Sequence, residues 1–551
     1  MSRRGGRDTE ERHSYTDCDR EPLLIKSSQV IRDLDTEDET LYECETYRPE
    51  NSDDPRGPMT YEEAIEKAGF GLFHIMLLFA CGWANMSDAV EILCVSFLLP
   101  TARCDLHLST TDMGWLTASV FLGMMIGGYM WGILADRRGR RQVLLFSLAL
   151  NGIFGTAASL ASEFWLFLLL RLISGIGVGG SMPVIFSYFS EFQPRKKRGA
   201  MISALATFWM AGNILAAGLA WLVIPNTTLN FHIGTLQFQS WRLFVVLCAI
   251  PSVSSVFLFW LLLPESPKFL MELSREEEAI AVFRCIFYWN HRSTRISFPI
   301  TQLKLSPLVD KEKTSSGYQA KFDCCRFKQG LEPVKKLFTP PLLERSIPFI
   351  AIFFSISFGY YGLWMWFPEL FKQIEETGGS PCSNGFHSSA SKTTENVTCY
   401  PVNTSVYIEG FITASSNLPG NLLTILIMDI VGGKILLCSS LLLSGVSVFF
   451  IWAVKTKTQS LIMSCFFSAV SVITWNALDV IGTELFPTHL RSSALGFFTG
   501  VGRVAAILGN VTFGQLLDVT CAVPILLVSV LLFLGGLISL RLPNTKNVEL
   551  E

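Results

Sequence analysis

The feature that most constrains this chain is a succession of apolar runs, each about twenty residues long, separated by short charged loops. About twenty apolar residues of α-helix cross the roughly 30 Å hydrocarbon core of a bilayer. Within that core the backbone must satisfy its own hydrogen bonds, so each run reads as a spanning helix. Twelve are predicted, at 70–98, 112–134, 142–161, 164–189, 200–224, 241–263, 346–371, 406–429, 434–454, 458–482, 494–517 and 521–541. Only 17% of the residues are charged, against roughly 25% in an average soluble domain. Lys and Arg (44) do not outnumber Asp and Glu (47), which argues against a nucleic-acid partner. No P-loop and no metal-ligand spacing points to catalysis, so neither an enzyme nor a cofactor is expected. The chain reads as an all-α, multi-pass protein of the lipid bilayer.

The domain plan follows from where the charges sit. Residues 1–68 are expected to be a disordered cytosolic tail, acidic around Asp33–Glu39 and without a cleavable signal pattern. Six helices occupy 69–264, a charged cytosolic linker 265–345, and six more helices 346–542, with a short polar loop at 373–404 and a tail at 543–551. Basic loops follow the second helix (Arg137, Arg138, Arg140, Arg141), the fourth (Arg195–Arg198) and the tenth (Arg491). The positive-inside rule then places these loops and both termini in the cytosol, and loop 373–404 on the luminal side.

The two sets of six helices repeat. Asp136-x-x-Gly139 recurs as Asp429-x-x-Gly432, and Glu191-x6-Arg198 as Glu484-x6-Arg491, both at an offset of 293. Parallel six-helix repeats with a site between them describe a rocking secondary transporter. Gly132-x-Leu134-x-Asp136-Arg137-x-Gly139-Arg140-Arg141 resembles the signature loop of the major facilitator superfamily, and Pro264-Glu265-Ser266-Pro267-Lys268 its sugar and organic-ion branches. A resemblance to the synaptic vesicle glycoprotein 2 family covers most of the membrane part. It is carried by Asp88-Ala-Val-Glu91, the Gly175–Phe192 stretch, Phe354–Gly362 and Trp475-Asn-Ala-Leu-Asp479. That family's long luminal domain is here a loop of about thirty residues. The resemblance implies a twelve-helix major facilitator fold working by alternating access.

Charges inside the apolar runs are the candidate functional residues, because an intramembrane ionisable group costs roughly 3 kcal/mol and usually faces a cavity or a partner. Asp88 and Glu91, three residues apart, share one face of the first helix and are candidates for proton coupling. Arg171 and Arg503 are the intramembrane cations. Either could neutralise the acids, and Arg503 could instead draw in an anionic solute or pair with Asp479. The resemblance associates the fourth-helix arginine, Arg171, with proton coupling. Asp479 stands one turn from Trp475, and with Trp209, Tyr360 and Tyr361 composes an aromatic cavity carrying one carboxylate. In the resembled family the matching positions line the central cavity. Asp136, Arg137, Arg140, Arg141, Glu191, Arg198, Asp429, Glu484 and Arg491, at the cytosolic helix ends, are expected to latch and release the two halves.

Cys382 and Cys399 share the luminal loop and are expected to form a disulfide, the cysteine at the exit of the first helix needing no bridge. Asn396, Asn403 and Asn226 begin sequons on the same side and are candidate glycosylation sites. Asp19-Arg-Glu-Pro-Leu23-Leu24 fits an acidic dileucine signal, read by a clathrin adaptor, and points to vesicle or endolysosomal membranes, with the plasma membrane as the alternative. The leading expectation is a proton-coupled secondary transporter of a small organic solute. The alternatives are a transporter-fold receptor or trafficking regulator with little flux, and a facilitative sugar carrier.

Overall fold

The computed structural model describes residues 59–233, 236–291, 302–303, 334–377, 403–453, 456–486, 488–517 and 522–543. The first half comprises a short helix α1 (Tyr61–Ala68) and spans α2 (Leu72–Asp105), α3 (Thr110–Arg138), α4 (Arg140–Ala158), α5 (Phe164–Ser190), α6 (Arg198–Val223) and α7 (Ser240–Leu262). Two further helices follow, α8 (Pro267–Glu272) and α9 (Glu276–His291). The second half is α10 (Leu343–Trp364), α11 (Phe367–Thr377), α12 (Thr404–Ser415), α13 (Asn417–Val431), α14 (Gly433–Ala453), α15 (Lys457–Leu485), α16 (Thr488–Leu516) and α17 (Ala522–Ser539). Among the described residues eleven segments are long and apolar enough to cross a membrane, α12 and α13 counting as one. The twelfth, α4, is 19 residues long and begins with Arg140 and Arg141; it packs along α5 and α7. The start of α2 and the end of α17 lie on one face of the bundle, called here the entry face.

The internal repeat is visible in the backbone. Gly139 (φ 101°) and Gly432 (φ 89°) occupy the same joint in each half, where one span ends and the next begins. A positive φ there favours glycine. At Gly139 a Cβ would also come within 2.5 Å of the Glu265 carboxylate.

Several expectations are corrected. Predicted helix 7 is broken after Trp364, and Pro368 sits in the first turn of α11, where its missing N–H costs nothing, whereas inside a continuous helix it would remove a bond. Pro419 does the same for α13, so predicted helix 8 is jointed at Ser416. Residues 61–68 belong to no free tail: α1 buries Ala64, Ile65 and Ala68 and contacts α9. The linker likewise begins as structure, because α9 carries Ala279, Ile280, Val282, Phe283, Ile286 and Phe287 at helical spacing and buries all six. Tyr61 meets Phe283 edge-on at 5.8 Å. A two-stranded hairpin, β1 (Phe231–Ile233) paired antiparallel with β2 (Leu236–Phe238), joins α6 to α7 on the far face.

Cys104, at the far-face end of α2, is disulfide-bonded to a cysteine outside the described residues, contrary to the expectation that it needs no bridge. Cys382, Cys399, Asn396, Asp19, Leu23 and Leu24 also lie outside them. Cys104→Ser should therefore add a thiol-reactive cysteine elsewhere on the far face, read as one extra maleimide label on intact vesicles of the matching orientation. Unchanged labelling would count against the bridge.

Candidate functional site

The acids of α2 face α5 and find different partners there. Glu91 forms a buried ion pair with Arg171 and accepts from Ser174 Oγ at 2.7 Å, and Ser174 also reaches Asn151 Oδ1 at 2.9 Å. Arg171 extends its other amino group to Cys94 Sγ at 3.6 Å and lies over the Phe167 ring. Asp88 is equally buried, but its bonding partner is Ser181, whose Oγ stands 2.8 Å from both carboxylate oxygens. Residues 171, 174 and 181 fall on one face of α5 at three- and seven-residue steps, which aims them all at α2. The two serines were not among the candidates; polar residues at helical spacing within an apolar span are the signal that would have found them.

Close packing makes this possible. In α5 a Cβ on Gly175 would meet Val120 O at 2.5 Å, and one on Gly179 would meet Met124 O at 2.3 Å, so the glycines let α3 approach backbone to backbone.

Further along, four aromatic residues converge. Trp475 of α15 lies 5.8 Å from Tyr361, 6.2 Å from Tyr360 and 5.7 Å from Phe353 by ring centroids. Tyr361 also touches Phe121 of the first half at 4.9 Å. The Trp475 indole N–H is buried without a hydrogen-bond partner among the described residues. Asp479, one turn away, is exposed although protein surrounds it, so it faces an open cavity within the bundle. Arg503 of α16 lies over the Tyr361 ring at 5.9 Å and reaches Met182 Sδ of the first half at 3.3 Å. Trp209, half-buried on α6, packs on the same core but makes no ring contact with this cluster among the described residues. The structure thus brings Tyr360, Tyr361, Trp475 and Arg503 together, with Asp479 one turn away, and leaves Trp209 apart.

The two halves meet at the far face. Gly114 of α3 packs on Gly514 of α16, and a Cβ on Gly114 would come within 2.8 Å of Gly514 Cα. Ser96 donates to Met365 O at 2.7 Å, Thr101 pairs with Tyr407 Oη at 2.6 Å, and Lys372 donates to Pro100 O at 3.3 Å. Arg103 forms a 3.3 Å ion pair with the buried Glu369. These contacts join α2 to α10, α11 and α12 as a far-face clasp. At the entry face Gly132 of α3 and Gly496 and Gly500 of α16 have no neighbour among the described residues that a Cβ would meet.

The entry-face charges stay within their own half. Arg140 is buried against Glu191 (3.4 Å), Glu272 (3.6 Å) and the Phe269 ring, with Asp136 at 3.9 Å. Glu265 caps α4, accepting from the amides of Arg140 and Arg141 at 3.0 Å. Burial pushes the carboxyls of Glu191 and Glu265 above the usual range, although Arg140 and the capping amides respectively pull back. Arg141 donates to Trp260 O at 2.9 Å, and Arg137 is exposed. The expected Glu191–Arg198 pair is not made: Arg198 turns to Glu62 of α1 at 3.0 Å, because α1 docks beside it. Glu484 is exposed, and the side chains of Asp429 and Arg491 lie outside the described ones. Asn226 and Asn403 are described and exposed. Asn403 caps α12 and donates to Glu375, which occupies the amide that a glycan would need.

A Major Facilitator Superfamily profile matches residues 73–394, and a Sugar (and other) transporter profile matches residues 399–551. Synaptic vesicle glycoprotein 2C of Mus musculus is 33% identical, the alignment covering 88% of this chain and 80% of that protein. Synaptic vesicle glycoprotein 2B of Homo sapiens is 32% identical, covering 88% and 86%. Among solved structures, the inward-open xylose transporter XylE from E. coli superposes with a TM-score of 0.60 at 18% identity, covering 86% of this chain and 97% of that one. That likeness concerns the fold.

Proposed function

Because the chain belongs to the Major Facilitator Superfamily and, within it, to the synaptic vesicle glycoprotein 2 family, a family of multi-pass membrane secondary transporters rather than enzymes, we propose that it moves a small organic solute by proton-coupled alternating access. The entry face is then the cytosolic face, as the positive-inside reading requires, and the present state is open to the cytosol. One observation carries the reading: the halves are clasped at one face and apart at the other, with Asp479 open to the space between them. A solute entering from the cytosol would meet Asp479 and then the Trp475, Tyr360 and Tyr361 rings.

The coupling group is Asp88. Glu91 is held by Arg171, whereas among the described residues Asp88 is bonded only by a neutral hydroxyl. A buried carboxylate without an ion-pair partner gains most from taking up a proton. Glu91, Arg171 and Arg503 set the field around it. The cytosolic charges Asp136, Arg137, Arg140, Arg141, Glu191, Arg198, Asp429, Glu484 and Arg491 serve as the latch of the opposite state. The names of the relatives support a vesicle membrane as its place, and the dileucine signal at Asp19, Leu23 and Leu24 supports adaptor-mediated delivery there.

The test is uptake of a metabolite extract into proteoliposomes, followed by mass spectrometry, with and without an imposed pH step. Wild-type protein should accumulate a solute in response to the step. Asp88→Asn should abolish that response while residual exchange without a gradient persists. Gradient-driven accumulation by Asp88→Asn equal to wild type would remove the coupling role, and no flux in either protein would leave the fold serving a non-transport role.

A further inference from the structure

We propose that the solute is a small organic anion, a carboxylate on a flat ring, received by the Arg503 guanidinium and the Trp475 indole N–H on either side of Tyr361. This rests on the reading of the central cavity as the solute site. Arg503 is 8% exposed and makes no ion pair among the described residues; its partners are a thioether sulfur and an aromatic face. A guanidinium presents five donors, and burying one without an anionic partner is costly. The Trp475 N–H is a second buried donor, without an acceptor among the described residues. Both side chains contact Tyr361, Arg503 at 5.9 Å and Trp475 at 5.8 Å from its ring centroid. Two unmatched donors beside aromatic faces call for acceptors on a flat body, and a carboxylate takes a guanidinium in bidentate geometry. A neutral alcohol would leave the cation uncompensated, and an amine would oppose it.

The surrounding charges make this anion selective for protons as well. The charges of this region are Asp479 of α15 and Arg503 of α16, with Asp88 of α2 buried against α5 and the Glu91–Arg171 pair, which cancels itself. With both aspartates ionised the centre carries one excess negative charge and opposes an anion. Proton uptake by Asp88 removes that excess, so anion and proton enter together.

The experiment uses the full-length protein in detergent and follows tryptophan fluorescence with three probes of one shape: benzoate, benzyl alcohol and benzylamine. Benzoate should quench saturably, more tightly at acidic than at neutral pH, and the other two weakly. Arg503→Met should weaken benzoate about ten- to hundredfold, the worth of a charge-assisted hydrogen bond, and leave benzyl alcohol unchanged. Arg503→Lys, which keeps the charge and guards against misfolding of Arg503→Met, should fall between. Benzylamine or benzyl alcohol binding as tightly as benzoate, benzoate affinity indifferent to Arg503, or no saturable signal from any probe would each overturn the proposal. Binding in detergent needs no flux, so this result and the failure of proton coupling are separately visible.

Discussion

Gly132→Trp and Gly496→Trp are each expected to stop solute flux while sparing the fold and solute binding. Gly114 and Gly132 on α3 are 18 residues apart, as are Gly496 and Gly514 on α16. Eighteen residues are about five turns of 3.6, so each pair lies on a single face of its helix. At the far face Gly114 and Gly514 touch backbone to backbone; at the entry face Gly132 and Gly496 meet nothing among the described residues. A rocking motion that parts the first pair brings the second together at matching depth. An indole at either entry-face position has room in the present state and none in the opposite one, so it should hold the carrier open at the entry face. Flux should fall by more than about tenfold, since the blocked step is conformational and obligatory. Gly114→Trp and Gly514→Trp should act in the opposite sense, because in the present state even a Cβ would come within 3 Å of the partner helix. Hydrogen exchange separates the two classes: the far-face variants should lose protection at the far-face ends of α3 and α16, and the entry-face variants should not. Wild-type flux in Gly132→Trp and Gly496→Trp would show that these surfaces never approach.

The helices were legible because twenty apolar residues have few other fates in a chain of this kind, and the repeat because Gly139 and Gly432 need the same backbone conformation in both halves. The acids of α2 were legible as exceptions to hydropathy. Their division of labour was not. Nothing local distinguishes Asp88 from Glu91, and only the register of α5 places Arg171 opposite one and Ser181 opposite the other. Distance in sequence hid the Arg103–Glu369 clasp, which joins residues 266 apart, and the bridge at Cys104. Helices α1 and α9 were missed because segments of 8 and 16 residues are too short to span a membrane, and their apolar faces have meaning only once each has the other to cover. Glu191 and Arg198 illustrate the remaining error: their repeated spacing suggested a pair, but spacing shows shared ancestry of position, while partners are chosen by what docks nearby.

Arg171→Met should be the most destabilising single change in the first half, and adding Glu91→Gln should restore much of the loss. Both partners are essentially removed from solvent, at 0% and 3% side-chain exposure. Breaking a buried pair from one side leaves the other charge without compensation and costs about 3–5 kcal/mol, whereas replacing both charges by neutral groups of similar size is often close to neutral. In Arg171→Met the Glu91 carboxylate keeps only the Ser174 hydroxyl, which it shares with Asn151, and it must take up a proton or draw in water. The double variant leaves an amide that can accept from Ser174 and donate toward Asn151, beside a methionine lying against Cys94 and Phe167. Thermal melting of the purified protein should therefore show a large drop for Arg171→Met and a much smaller one for the double variant. The same comparison decides what the pair is for. If the double variant melts near wild type and still accumulates solute in response to a pH step, the pair holds α2 on α5 and Asp88 carries the coupling by itself. If it melts near wild type yet loses that response, Glu91 and Arg171 belong to the proton path, and the assignment to Asp88 alone is wrong.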